Sequence, residues 1–165
     1  MSLYLKQKVF SFKDRFSVYD ESGNPRYHVE GEFFSFGKKL HVYDLYEREV
    51  AYIEQKIFSF LPKYYIYING TCVAEVVKEF TFFKPSYRVN GPNWMVKGDF
   101  WDHDYDIFDG NYVITAVNKE WFSWGDAYEI RMASGVDEVL ALSVVLVIDA
   151  CLEADNNSNA AMNNL

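Results

Sequence analysis

The triplet Phe-Ser-Phe begins at Phe10, Phe34 and Phe58, a step of 24 residues each time. Around it the chain writes one eleven-residue pattern three times, as "FSFKDRFSVYD" (10–20), "FSFGKKLHVYD" (34–44) and "FSFLPKYYIYI" (58–68). More worn copies follow: "FTFFKPSYRVNG" from Phe80 to Gly91, "FWDHDYDIFDG" from Phe100 to Gly110, and "FSWGDAYEIRM" from Phe122 to Met132. A fixed period means one supersecondary unit that buries its apolar face only by stacking on its neighbours. Each copy reads as an aromatic start, a short polar or Gly/Pro turn, and an alternating apolar strand.

A second kind of turn separates the copies: "DESGNP" (20–25), "LYER" (45–48), "NGT" (69–71), "NGPN" (90–93) and "DGN" (109–111). Asn-Gly and Asp-Gly between alternating runs signal hairpins, because a type I′ turn needs φ > 0 at both central residues. After these turns come further strands that run into the next aromatic triplet, among them "RYHVEGEFFSF" and "EVAYIEQKIFSF". Six two-strand units predict about twelve antiparallel strands in a meander. Closing such a sheet into a barrel removes its edges. A twelve-stranded barrel is too wide for strand side chains alone to fill.

The filler is read from "DEVLALSVVLVIDACL" (137–152), apolar from Val139 to Ile148 except for Ser143. Its length argues for a buried helix and its valines for a buried strand. Ser134 and Asp137 resemble a capping box, and Gly135 breaks the preceding strand. Sixteen helical residues span about 24 Å, close to the height of tilted six- or seven-residue strands. The expected fold is therefore a mainly β, closed antiparallel barrel of about twelve strands around a central hydrophobic C-terminal α-helix. The expected domain is 1–153, with 154–165 as a disordered polar tail.

This arrangement is similar to the tubby C-terminal-like superfamily, and the sequence resembles its LURP-one-related branch from about Tyr4 to Cys151. The stretches that carry the resemblance are "KQKVFSFKDRFSVYDESGNP", "VEGEFFSFGKK", "AYIEQKIFSFLPKYYIYI", "VAEVVKEFTFFKP", "GDFWDHDY" and "KEWFSWGDAYEI". Tubby domains and phospholipid scramblases share that fold. The resemblance implies a non-enzymatic module and makes lipid contact an expectation. No scramblase activity and no lipid-binding residue is carried over, since scramblases add a membrane-anchoring helix and calcium dependence.

Composition narrows the partners. The net charge is −8, from 24 acidic and 16 basic residues, which opposes sequence-indifferent binding to DNA or RNA. No apolar run reaches the length of a membrane span, and "MSLYLKQKVFSF" lacks a leader's apolar core, so a cytoplasmic location, peripheral to a membrane, is expected. Cys72 and Cys151 are read as reduced thiols. No phosphate loop, nucleophile elbow or Cys–His signature occurs; no catalytic residue and no cofactor is assigned, and a hydrolase is the remotest class considered. His28, His41 and His103 have no zinc-site spacing. Asp102, Asp104 and Asp106 form a secondary metal alternative to an ordinary solvated strand face, but Ile107 and Val113 stand where a calcium loop needs Gly and Glu.

One charge pattern stands out. In a meander all turns that follow the aromatic triplets lie at one end of the barrel. They carry Lys13, Arg15, Lys38, Lys39, Lys63 and Lys84, while the opposite turns carry Asp20, Glu21, Asp44, Glu47 and Asp109. The expected site is this basic rim, taking a phospholipid headgroup or another anionic ligand. The alternative is a cytoplasmic protein-interaction scaffold with no small-molecule site, its loops charged only because they are wet.

Overall fold

Strands of four to eleven residues follow one another with turns between them, and every one pairs antiparallel with its neighbours in sequence. The structure is a computed structural model that describes residues 1–6, 15–32, 35–80, 85–122 and 125–163. The strands are β1 (Ser2–Lys6), β2 (Phe16–Tyr19), β3 (Pro25–Gly31), β4 (Lys39–Tyr43), β5 (Glu49–Gln55) and β6 (Lys63–Ile68), then β7 (Thr71–Glu79), β8 (Ser86–Asn90), β9 (Trp94–Asp99), β10 (Asp104–Asp109), β11 (Tyr112–Phe122) and β12 (Gly125–Met132). They form a closed barrel. Closure joins the chain's first strand to its last, from Ser2↔Arg131 to Lys6↔Ala127, and joins β1 to β2 at Tyr4↔Tyr19.

Turn chemistry follows the sequence. Asn69 and Gly70 both have positive φ, 49° and 75°, as the I′ hairpin between β6 and β7 requires. Along the strands buried and half-exposed residues alternate, the period of a sheet with one wet face. Phe16, Leu40 and Tyr64, spaced by 24, are buried near one end of β2, β4 and β6. Tyr87, Tyr105 and Tyr128 are buried toward the same end of β8, β10 and β12.

The lumen is filled by α1 (Glu138–Asn163). From Ala141 to Leu152 every residue of it is buried, which is where a helix apolar on all sides belongs. Its start is capped by Asp137, whose Oδ1 accepts the Leu140 N–H at 3.0 Å; Asp137 is thus the N-cap itself rather than the third helical residue of a Ser134 box. Glu138 in the first turn accepts hydrogen bonds from Arg26 Nε, at 3.1 Å, and from the Tyr27 hydroxyl. The helix enters at the rim that holds turns 20–24, 44–48 and 69–70, called here the start rim. It leaves through the opposite exit rim.

Two boundaries differ from expectation. The helix does not stop at 152: it continues to Asn163, so residues 154–163 extend it where a disordered tail was expected. Asp155 is anchored by Lys78 at 2.5 Å and Ser158 Oγ bonds back to the Ala154 carbonyl at 2.9 Å, which satisfies local polar groups that a free tail would give to water. The second difference concerns the aromatic triplets. β3 ends at Gly31, β5 at Gln55 and β7 at Glu79, so the described residues of the triplets that follow, Ser35, Phe36, Phe58, Ser59, Phe60 and Phe80, lie past the strand ends on the exit rim.

Candidate functional site

The described residues of the exit rim lie mainly between β3 and β4, between β5 and β6, at the end of β7 and in the short turn after β9. The topology brings Lys38, Lys39 and Lys63 to this end, as the meander demands. Lys13 and Lys84 lie outside the described residues. Each described cation has a carboxylate partner. Lys38 contacts Glu153 of α1, Lys39 lies 3.5 Å from Glu32, and Lys63 lies 3.0 Å from Glu75. Arg15 is bound by Glu30 at 3.0 Å and by Glu47 at 2.5 Å, so its charge is spent along the outer wall and on a start-rim turn. Burial pulls the Lys38 ammonium down to about 8, and the nearby Cys151 works the other way. Lys78, a buried cation missing from the sequence-derived set, pairs with Asp155 and lies 5.5 Å from the Phe80 ring centre.

What the sequence reading missed is aromatic. Phe36, Phe58, Phe60 and Phe80 are 86, 99, 101 and 69 % exposed, all on the exit rim. Phe58 also holds φ = 58°, a left-handed conformation that costs a non-glycine residue about 1–2 kcal/mol. Beside Phe60 lies a shallow hollow of about 250 Å³ bordered by Leu61, Lys63, Glu75 and Arg88. The strict alternation of the preceding strands hides this: Phe-Ser-Phe continues the apolar pattern past the strand's end.

Behind the rim, inside the barrel, α1 places one carboxylate. Buried Asp149 accepts the Tyr128 hydroxyl, and its other oxygen lies 3.3 Å from His103 Nε2. His103 closes the turn after β9 with φ = 51° and stacks on Tyr128 at 4.4 Å. An Asp–His contact invites comparison with hydrolases, but its neighbours are poor nucleophiles. Burial raises the Tyr105 and Tyr128 hydroxyls well above their usual range. It pushes the Cys151 thiol up to about 12, and the thiolate is the reactive form. Removing the Tyr128 hydroxyl strands a buried carboxylate oxygen, so Tyr128→Phe should cost about 1–3 kcal/mol in a urea titration. A loss near zero would mean that Asp149 does not depend on this donor.

The remaining candidates do not converge. His28 meets Ser17 Oγ at 3.1 Å, while His41 is held between Glu49 at 2.6 Å and Glu32 at 3.1 Å. Burial would lower the His41 imidazolium, but those two hydrogen bonds outweigh it and hold its pKa above the usual value. The aspartates of the metal alternative are separated by function: Asp102 lies in a turn, its N–H bonded to Asp99 Oδ1 at 3.3 Å, and Asp104 accepts from Asn118 at 2.9 Å. Among the described residues no group of three or more His, Cys, Asp and Glu is arranged to hold a metal ion. Cys72 and Cys151 are free.

Comparison with known proteins adds three findings. The family model described as LURP-one-related matches residues 1–149. The uncharacterized protein YxjI of Bacillus subtilis (strain 168) is 40% identical over 159 residues, covering 96% of this chain and 98% of that protein. A crystal structure of a protein from Arabidopsis thaliana superposes with a TM-score of 0.65 at 13% identity, over 91% of this chain and 90% of the other. At that identity the likeness is one of fold. No helix among the described residues is long and apolar enough to cross a membrane.

Proposed function

Because the chain belongs to the LURP-one-related family and has its tubby-like barrel, we propose that it is a non-enzymatic module that docks its exit rim onto an anionic phospholipid surface from the cytoplasm. The observation that carries this reading is Phe58: fully exposed, and held in a strained backbone conformation that keeps it so. Strain and exposure both cost stability, and such outliers concentrate where a contact is made. Phe36, Phe60 and Phe80 stand with it on the same end.

A bilayer suits this surface better than a protein partner. The rings follow β3, β5 and β7, each exposed on its own, whereas protein hot spots fill packed pockets. An interface of lipid headgroups accepts separate aromatic tips, with lysine stems lying along the apolar boundary. Lys63 and Arg88, each paired with a carboxylate, border the hollow by Phe60, which supports contact with a headgroup phosphate over an inserted ring. Since Lys38, Lys39 and Lys63 are already paired, cations alone would attract lipid only weakly, and the aromatic tips supply the larger share.

Sedimentation with vesicles of mixed zwitterionic and anionic phospholipid tests the proposal. The protein should co-sediment at low salt, and less at high salt. Phe58→Ser combined with Phe60→Ser should weaken binding by at least about tenfold, a loss of only 1.4 kcal/mol, well below the full burial of two rings. Its thermal midpoint should not fall. An intact protein that ignores such vesicles, yet captures a protein partner through the same rings, would move the assignment to the interaction scaffold.

A further inference from the structure

The helix is longer than the barrel it plugs. Twenty-six residues at 1.5 Å each make about 39 Å. α1 is buried through Leu152, half-buried from Glu153 to Asp155, and exposed from Asn156 to Met162. The eight residues from Asn156 to Asn163 thus form a segment about 12 Å long past the half-buried turn, on the side where Phe36, Phe58, Phe60 and Phe80 are exposed. Interfacial docking buries a protein surface by only about 5–10 Å.

This projecting segment is unfit for a bilayer. It carries Asn156, Asn157, Ser158, Asn159 and Asn163, and its last carbonyls have no helical partner. The hydrocarbon into which aromatic tips would sink penalises such groups. The same helix end takes two cations out of play, Lys38 through Glu153 and Lys78 through Asp155. Polar stalk and membrane therefore compete for one space and for one set of charges.

We propose that the C-terminal turns of α1 are an autoinhibitory stalk: they stand in the docking face, and the rim seats flush on an anionic bilayer only when residues 156–163 swing aside or unwind. The proposal rests on the docking reading above. The stalk is held by the Glu153 and Asp155 anchors, and the plug proper ends before it, at Leu152, so the barrel does not need the stalk to stay filled.

Two variants test it on the vesicles used above. One ends the chain after Asp155, keeping both ion pairs and removing the stalk. The other is Asn159→Pro in the full-length chain, which clashes with the Asp155 carbonyl and unwinds the turns beyond it. Both should bind vesicles about tenfold more tightly than the parent or better, the gain expected when a minor docking-competent population becomes the whole. Both should keep the parent's far-UV circular dichroism per barrel and its thermal midpoint. A parent that binds, with both variants binding no better, overturns the stalk and leaves the docking reading standing. If parent and variants alike ignore the vesicles, the docking reading falls and takes the stalk with it.

Discussion

Leu146→Asp should yield no folded protein at all. Leu146 is fully buried midway along the buried part of α1, with Val144, Val145, Val147 and Ile148 buried around it. Losing a buried Leu costs about 2–5 kcal/mol by itself. The new carboxylate adds several more, since a buried unpaired charge is the costliest substitution a core can receive. Domains of this size hold about 5–15 kcal/mol in total. The helix cannot escape the penalty by rotating, because it is enclosed by strands on every side. Leu146→Met, which keeps volume and apolarity, should cost less than about 1.5 kcal/mol. Circular dichroism and solubility after expression read both outcomes. A soluble, cooperatively melting Leu146→Asp protein would show that the lumen is not the dry core described here.

Gly98→Ala should destabilise the barrel by about 2–6 kcal/mol, the sum of backbone strain and overpacking. Gly98 sits in β9 opposite Tyr105 of β10, with φ = 147°. A methyl group there would meet the Tyr105 Cα at 2.4 Å and the Asp104 carbonyl oxygen at 2.5 Å. Those are backbone atoms, so relief requires parting the two strands. Tyr105 in turn packs against Phe100 at 5.0 Å, and Phe100 against Tyr87 at 4.9 Å, so parting the strands disturbs that whole stack. Gly70 is the control: its φ is 75°, but nothing lies within 4 Å of an added Cβ. Gly70→Ala should therefore cost only the strain, about 1–2 kcal/mol. Equal losses in the two variants would mean that conformation, not contact, sets the requirement at position 98.

Periodicity made the barrel legible because it is repeated local information. The Asn69-Gly70 turn and the alternation of Tyr64, Ile66 and Ile68 each specify a hairpin without reference to distant residues. The apolar run to Ile148 is equally explicit about a plug, since nothing but an enclosed site tolerates it. The rim was harder. Phe58 obeys the strand pattern and then leaves it, and only the end of pairing at Gln55 shows that its ring faces water. Counting lysines located the exit rim but not their charge state, because Glu153 reaches Lys38 from a helix 115 residues away in sequence. His103 and Asp149 met for the same reason: long-range contact leaves no mark on either local pattern. The helix tail misled by composition, as Asn and Ser usually signal loops, whereas here an anchored helix carries them outward.

The closure of the barrel also constrains how the chain is made. β1 pairs with β12, and α1 comes after both. During synthesis the first strand must wait for the twelfth, and all twelve strands leave the ribosome before the segment that fills them exists. A sheet curved around an empty lumen shows its whole apolar inner wall to water, so a nascent chain cannot rest in a partly built native state. Each hairpin closes locally and quickly, but the commitment to fold is deferred to the final residues. Until then the chain is a set of sticky edges and apolar faces, the condition in which aggregation competes with folding.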